Sequence, residues 1–359
     1  MNSSEGTPSG DDRIAGLGGT VAVGSSPAPV IHGRRHPVAA FLARRLAAGL
    51  VTLLAASFFI FFATNVLPGN VAEAVLGKTA TPAAVAQLDH KLHLNRPFLA
   101  RYGSWLGDAL TGNLGQSAVQ LAQGATSAPV VSEIGTPARN SLILAGLTIL
   151  LMIPLTILLG VIASLRVGRW TDHAISMTSL VVGSLPEFVF GTLLILVFFN
   201  EFKLLPPVAL LAPGQSPLSH ATILVLPVLT LLGVTLAAGI RQIRAGMVEV
   251  MQHDYVTLAQ INGLSPRRIL WRYGLRNALG PSVQITAQNI QYLIGGIIIV
   301  ESVFDYPGLG TFLWNAVTTR DVTQVEGVAL LLAAVYILIN IFADLIVVFL
   351  VPKLRTGLT

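Results

Sequence analysis

Residues that could carry out chemistry are few and far apart in this sequence. It has no cysteine, which excludes thiol catalysis and thiolate metal sites. It contains no His-Glu-x-x-His or Gly-x-Ser-x-Gly pattern, and its seven histidines form no cluster with ligand spacing. Gly77-Lys78-Thr79 has the ending of a phosphate-binding loop, but Ala72 stands where that loop needs its first glycine. We therefore predict that the chain is not an enzyme and has no metal, no cofactor and no ATP site of its own.

Glu187 is the one carboxylate near the middle of a long apolar run, and Pro186 precedes it. A charged group at mid-bilayer costs about 2.5 kcal/mol or more, so Glu187 must face a partner or water. It could line a translocation path and touch the amino terminus of a substrate. It could also bond to a neighbouring helix or hold a proton. For Pro186, as for Pro154 and Pro227, a helix kink is the simpler interpretation and a broken helix along a path is the other.

Long apolar runs must position these residues. Of 359 residues, 53% are hydrophobic and 11% are charged, and the mean hydropathy is +0.72. Soluble domains carry about 25% charged residues, so an ordinary soluble enzyme and a disordered chain are excluded. Each of six runs reaches the roughly 20 residues that cross a hydrocarbon core as a helix. We predict an all-α membrane protein with six transmembrane helices, near 46–67, 139–165, 174–199, 221–247, 279–303 and 325–351.

The basic residues indicate the orientation. Fifteen lysines and arginines lie in the terminal segments and in the loops after the second and fourth runs, against six in the other loops. The positive-inside rule then places both termini in the cytoplasm. The predicted organisation is a disordered cytoplasmic tail (1–40), a first transmembrane helix (41–67), an extracytoplasmic loop (68–138) and a core domain with five transmembrane helices (139–355).

The cytoplasmic loop 248–278 has a pattern that the other connections lack. Asp254 can cap a short helix over residues 255–262, and Gly263 can end it in the left-handed conformation. Ser265 can cap a second helix that starts with proline. Arginines four residues apart give this second helix a basic face suited to the anionic cytoplasmic leaflet: Arg268, Arg272 and Arg276.

We expect the short helix to expose apolar side chains outside the membrane, namely Tyr255, Leu258, Ala259 and Ile261. A helix of two turns is not stable alone, so something must pack against it. Packing on the protein's own loops and insertion into a groove of a partner protein both meet this requirement.

Two further carboxylates and a turn lie near the later runs. Glu301, at the outer end of the fifth run, and Asp344, in the sixth, are predicted to make polar contacts between helices. The segment Pro307-Gly308-Leu309-Gly310 predicts a turn outside the membrane.

Several segments, in order along the chain, resemble one family. The pattern Asp254-Tyr255-Val256-x-x-Ala259-x-x-x-Gly263-Leu264-Ser265 resembles the cytoplasmic EAA loop of binding-protein-dependent ABC importer permeases. The match extends over about 41–355 and is strongest for the dipeptide/oligopeptide/nickel permeases of the subunit-B type. The other similar segments are Phe41-Leu42-x-Arg44-Arg45-Leu46, Leu67-Pro68-Gly69, Arg101-Tyr102-x-x-Trp105-Leu106, Asn113-Leu114-Gly115-x-Ser117 and Glu301-Ser302-Val303-Phe304-x-Tyr306-Pro307-Gly308-Leu309-Gly310.

This resemblance implies a MetI-like, type I ABC importer permease in the bacterial cytoplasmic membrane. It also implies that the short helix is a coupling helix seated in a cleft of a separate ATPase. The implied partners are a second homologous permease subunit, one or two ABC ATPase subunits that bind ATP and Mg, an extracytoplasmic substrate-binding protein and membrane lipids, without nucleic acid. The implied coupling residues are Asp254, Tyr255, Leu258, Ala259, Gly263, Leu264 and Ser265.

The implied function is import of di- and oligopeptides, with this chain forming half of the translocation path. Pro186 and Glu187 are the candidates for that path. Nickel chelates and glutathione-type peptides are alternative cargoes. A stand-alone channel or secondary transporter is the alternative from another class, and it predicts no ATPase partner.

Overall fold

A computed structural model of the chain describes residues 37–66, 71–77, 80–92, 94–212 and 214–350, and these residues are mostly helical. Residues 1–36 of the predicted tail, the segment Leu67-Pro68-Gly69 and residues 351–359 lie outside the described residues. In chain order the helices are α1 Pro37–Val66, α2 Val71–Leu76, α3 Pro82–Lys91, α4 Phe98–Leu110, α5 Ala118–Ala122, α6 Val130–Leu165, α7 Trp170–Gly183, α8 Glu187–Ile195, α9 Ala221–Met251, α10 Asp254–Ile261, α11 Pro266–Arg268, α12 Arg276–Val303, α13 Leu309–Thr318 and α14 Val322–Leu350.

The apolar runs become the long helices. Among the described residues, five helices are long and apolar enough to cross a membrane (α1, α6, α9, α12 and α14), and the number rises to six if the bent pair α7 and α8 is counted as one span. The helices extend beyond the apolar runs that predicted them. α6 begins at Val130, nine residues before its run, and its 36 residues span about 54 Å, which is more than the thickness of the hydrocarbon core. The short helices α2 to α5 belong to the predicted extracytoplasmic loop.

The third span is broken at Pro186. α8 and its π-helical continuation Leu196–Glu201 are bent by 108° from α7. Pro186 occupies the N-cap of α8 with an extended ψ of 146°, and a proline disfavours the helical conformation of the residue before it. The expectation of a simple kink at Pro186 is therefore wrong. Pro154 and Pro227, in contrast, lie inside the continuous helices α6 and α9.

α9 is the most enclosed of these spans. Of its most apolar stretch 67% is buried, against 11% for α1 and for α14. It packs against α6, α7, α8 and α12. Two glycines permit the contact with α6: a Cβ at Gly160 would lie 2.7 Å from the Cβ of Ile243, and one at Gly239 would lie 2.5 Å from Cγ2 of Thr156. Small residues let membrane helices approach closely, so α9 is held firmly at the centre.

An ion pair fixes α7 to α9. Arg244 donates to both carboxylate oxygens of Asp172, over 2.6 and 2.7 Å, and Asp172 also accepts from the backbone N–H of Gly168. The Asp172 side chain is buried. A second ion pair, between Arg45 of α1 and Asp344 of α14, is 3.1 Å long and confirms the expected helix contact of Asp344. The first pair was not predicted, because its two residues lie 72 positions apart in the chain.

Arg244→Met should destabilise the fold by about 3 kcal/mol, because it leaves the buried Asp172 carboxylate without its counter-charge. Arg45→Met is the matched control. The Arg45 side chain is 50% exposed, so its loss should cost less than about 1 kcal/mol. Denaturation of the two variants in mixed micelles measures the difference. Equal midpoints for both variants would contradict the structural role of the buried pair.

Candidate functional site

α10 packs on its own loop through one face. Val256 and Ala259 are buried against Ile269, and Met251, Leu264 and Tyr273 complete the cluster. Residues three apart share a helix face, which explains why Val256 and Ala259 point the same way. The prediction that Ala259 is exposed is therefore wrong, and Leu264 also packs inward. These contacts hold a helix that is too short to be stable alone.

The opposite face of α10 carries exposed apolar side chains. Tyr255 is 40% exposed, Leu258 60% and Ile261 77%, as predicted. We call these three residues the α10 apolar surface. The first alternative considered for the short helix, packing on the protein's own loop, is therefore confirmed for its inner face. Insertion of the exposed face into a groove of a partner stays a prediction. Exposed apolar clusters of this kind mark sites of protein–protein contact.

The start of α10 differs from the prediction. His253, not Asp254, occupies the N-cap position, and its side chain makes no capping hydrogen bond. Asp254 is the first helical residue and is exposed. Its negative charge interacts favourably with the positive end of the helix dipole and so stabilises α10. The ring of His253 stacks on that of Tyr255, with centroids 5.5 Å apart.

The end of α10 follows the predicted left-handed turn. Gly263 has φ +73°. Its N–H donates to the carbonyl of Gln260 over 3.0 Å, and the N–H of Leu264 donates to the carbonyl of Ala259 over 3.2 Å. These two bonds form a Schellman motif, completed by packing of Leu264 on the inner face of α10. Gly263 therefore sets the direction in which the chain continues after α10.

The segment after Gly263 joins the loop to the fifth span. Ser265 stands at the N-cap of α11 with Pro266 first, but its side chain makes no capping bond. The predicted second helix is only three residues long before a π-helical turn, Ile269–Leu275, leads into α12. Arg268, Arg272 and Arg276 are exposed along this segment.

A side-chain contact also ties α10 to α12. The amide of Asn277, in the first turn of α12, donates to the hydroxyl of Tyr255 over 3.2 Å. Sequence reasoning did not assign a role to Asn277. A single sequence does not indicate this contact, because Asn277 and Tyr255 lie 22 positions apart.

Gly263→Ala should weaken the loop by about 1–2 kcal/mol. The cost is backbone strain, since no atom lies within 4 Å of the added Cβ while φ is in the left-handed region. Gly263→Asn is the control, because asparagine tolerates this conformation. Thermal denaturation of both variants measures the effect. An alanine variant that melts at the wild-type midpoint would show that this turn does not require a left-handed glycine.

Pro186 and Glu187 lie together where the third span breaks. Glu187 is the first residue of α8 and is 8% exposed. Its carboxylate faces α12: the Tyr292 hydroxyl lies beside it, and a Cβ at Gly296 would be 3.2 Å from its Oε1. Glu187 therefore contacts a neighbouring helix, while Tyr292 is itself exposed. A contact with substrate stays a prediction.

A turn joins α12 to α13, and we call it the outer turn because the sequence predicts that it lies outside the membrane. Glu301 is fully buried and accepts from the Ser141 hydroxyl over 2.5 Å and from the N–H of Gly310 over 2.6 Å. The Tyr306 hydroxyl donates to the carbonyl of Asn140 over 2.8 Å, and the Asn140 amide donates back to the carbonyl of Pro307. The expected helix–helix contact of Glu301 is confirmed. The predicted turn at 307–310 is only partly correct: Pro307 and Gly308 lie in the turn held against α6, whereas Leu309 and Gly310 begin α13.

A second buried carboxylate, Asp321, lies between the first turns of α5 and α14. Asp321 accepts from the N–H groups of Ala118 and Gln324, at 3.1 and 3.2 Å, and from the Ser117 hydroxyl at 2.5 Å. It thereby accepts hydrogen bonds from backbone N–H groups in the first turns of both α5 and α14, where such groups have no partner within the helix. Sequence reasoning missed this residue because its partners at α5 lie about two hundred positions away.

Comparisons with known proteins agree on one family. Residues 156–356 match the family described as binding-protein-dependent transport system inner membrane component, and residues 38–158 match its N-terminal region. A probable peptide ABC transporter permease protein of Sinorhizobium fredii is 31% identical over 88% of this chain and 99% of its own length. A glutathione transport system permease of Escherichia coli is 32% identical over 88% and 98%. A metal-staphylopine import system permease of Staphylococcus aureus is 30% identical over 88% and 98%.

Proposed function

The chain belongs to the family of binding-protein-dependent transport system inner membrane components, and we propose that it imports di- and oligopeptides with energy from a separate ATPase. As a member of this family it is a multi-pass permease of the cytoplasmic membrane and not an enzyme. In the proposed assembly it forms half of the translocation path, opposite a second homologous permease subunit. An extracytoplasmic binding protein delivers the cargo.

The α10 apolar surface is the observation that carries the coupling proposal. A two-turn helix with one face packed on its own loop and three exposed apolar residues on the other matches a helix that docks in a groove. The partner is an ABC ATPase that binds ATP and Mg, one or two chains of it. This requires α10, and with it both termini, to face the cytoplasm, as the basic residues predict.

A displacement of α10 can be transmitted to the membrane helices through two connections. Only Gln252 and His253 separate it from α9, and the π-helical turn Ile269–Leu275 connects it to α12. α9 and α12 pack on each other and on α8. A partner that displaces α10 therefore shifts the helices around the break in the third span. Two permeases that rock against each other in this way expose a shared cavity alternately to each side.

Pro186 and Glu187 are the proposed path residues of this chain. The break leaves helix ends at membrane depth, which is tolerated where the backbone is buried in protein or lines a cavity. Glu187 supplies a negative charge that suits the ammonium group of a peptide, and Tyr292 stands beside it on α12.

We expect Glu187→Gln to lower uptake of peptides that carry a free amino terminus.

Peptides are the cargo we propose because the relatives' names include a peptide permease and a permease for the peptide glutathione. Because another relative is named as a metal-staphylopine import permease, a metal chelate is the alternative cargo.

Uptake by proteoliposomes tests the proposal. The vesicles would hold this chain, its partner permease and the ATPases, and alanyl-alanine, glutathione and a nickel chelate would be offered with the binding protein. We expect ATP-dependent uptake of alanyl-alanine above the other two. Uptake by this chain alone without ATP would overturn the coupling proposal and favour a channel or secondary transporter.

A further inference from the structure

The outer region encloses a cavity of about 610 Å³. It lies between the outer ends of α1 and α14, helix α4 and the segments around α3 and α5. Its size is within the range of small-molecule sites, and its walls combine aromatic and aliphatic side chains with a few charges. The apolar part of the lining includes Phe61, Leu92, Leu94, Trp105 and Leu121.

Cations outnumber carboxylates in this cavity. Lys91, Arg96 and Arg101 line it together with Asp108 and Glu326. Glu326 is already engaged, because it accepts from the Thr64 hydroxyl and the Asn65 amide, each over 2.6 Å.

Arg101 is engaged as well. It donates to the amide oxygen of Asn65 and lies over the ring of Phe61. Burial lowers the pKa of its guanidinium, while the charges of Glu326 and Asp89 act in the opposite direction. Arg101, Asn65 and Glu326 thus form one hydrogen-bonded group in the wall of the cavity.

The other two cations of the lining, Lys91 and Arg96, are not engaged in this way. Both are exposed, and neither makes an ion pair within the described part of the chain. The indole Nε1 of Trp105, another lining residue, is buried and has no acceptor among the described residues. A tryptophan Nε1 can only donate, and a buried donor without an acceptor costs about 1–3 kcal/mol. The lining therefore has more cations than carboxylates and includes one buried donor without an acceptor among the described residues.

We propose that this cavity binds short peptides through their free carboxylate, as an entry site on the outer face of the permease. Lys91 and Arg96 bind the carboxylate, and Asp108, which lines the same cavity, suits the ammonium group of a zwitterionic ligand. The apolar walls accommodate side chains without selecting among them. This inference rests on the proposed function, since it takes peptides as the cargo.

Binding of alanyl-alanine to the assembled transporter in nanodiscs, without the binding protein, tests the site by calorimetry. The double variant Lys91→Gln/Arg96→Gln should bind at least tenfold more weakly than the wild type. Alanyl-alanine amide, which lacks the carboxylate, should lose the same factor on the wild type. Lys203→Gln is the matched control, because Lys203 is a cation of another outer loop that does not line this cavity.

Three results would overturn the site. They are undiminished binding to the double variant, equal binding of dipeptide and amide, and absence of binding to the wild type. If the double variant weakens only the affinity of the binding protein, the cations dock that protein and the peptide site is also rejected. ATP-driven uptake by the same wild-type assembly, measured in parallel, shows in each case whether the proposed function still holds.

Discussion

Leu258→Glu should abolish ATP-driven uptake while the permease remains folded and in the membrane. Leu258 is the central residue of the α10 apolar surface and is 60% exposed, so the change disturbs no internal packing. In the proposed complex it is buried in the ATPase groove, where an unpaired charge is expelled. Central interface residues contribute about 2 kcal/mol or more, which corresponds to at least a thirtyfold loss of affinity.

Leu258→Met is the matched control for that variant. A volume-conserving apolar replacement costs less than about 1.5 kcal/mol and should keep most of the uptake. Uptake by proteoliposomes and the midpoint of thermal denaturation are measured on both variants. A glutamate variant with normal uptake would show that the α10 apolar surface is not the ATPase contact.

Gly310→Ala should produce the largest loss of stability, about 3–5 kcal/mol. The added Cβ would lie 2.6 Å from the Cα of Ile298 and 2.7 Å from its carbonyl oxygen, so α13 would have to move away from α12. That movement also breaks the hydrogen bond from the Gly310 N–H to Glu301. Overpacking costs about 1–3 kcal/mol, and a hydrogen bond to a charged group adds about 1.5–3 kcal/mol.

Gly295→Ala on α12 separates this steric effect from the general effect of adding a methyl group. No atom lies within 4 Å of the Cβ at Gly295, so the variant should be neutral or more stable by up to about 1 kcal/mol. Denaturation of both variants in mixed micelles gives the comparison. If Gly310→Ala unfolds at the wild-type midpoint, the outer turn is not the rigid clamp described above.

Hydropathy predicted the long helices because crossing a bilayer requires length and apolar composition, both of which are local properties. It misplaced helix ends where the helix continues outside the membrane. α6 starts at Val130 rather than near 139, since Glu133 binds the side-chain amides of Gln120 and Gln324 outside the apolar run. Hydropathy carries no information about such contacts.

Within the site, the turn at Gly263 was predictable because left-handed backbone favours glycine. The orientation of Ala259 was not. A two-turn helix with apolar residues around most of its circumference has no clear inner face until the loop that covers it is known. Contacts distant in sequence, such as Arg244 with Asp172 and Ser117 with Asp321, leave no periodic signal in a single sequence.

Co-purification from the native membrane tests the central claim most directly. The chain is extracted in mild detergent, as wild type and as Leu258→Glu, and its stoichiometric partners are identified by mass spectrometry. We predict a second permease and one or two ATPases with the wild type, and loss of the ATPases alone with the variant. A chain recovered without partners, still active in liposomes without ATP, would contradict the account.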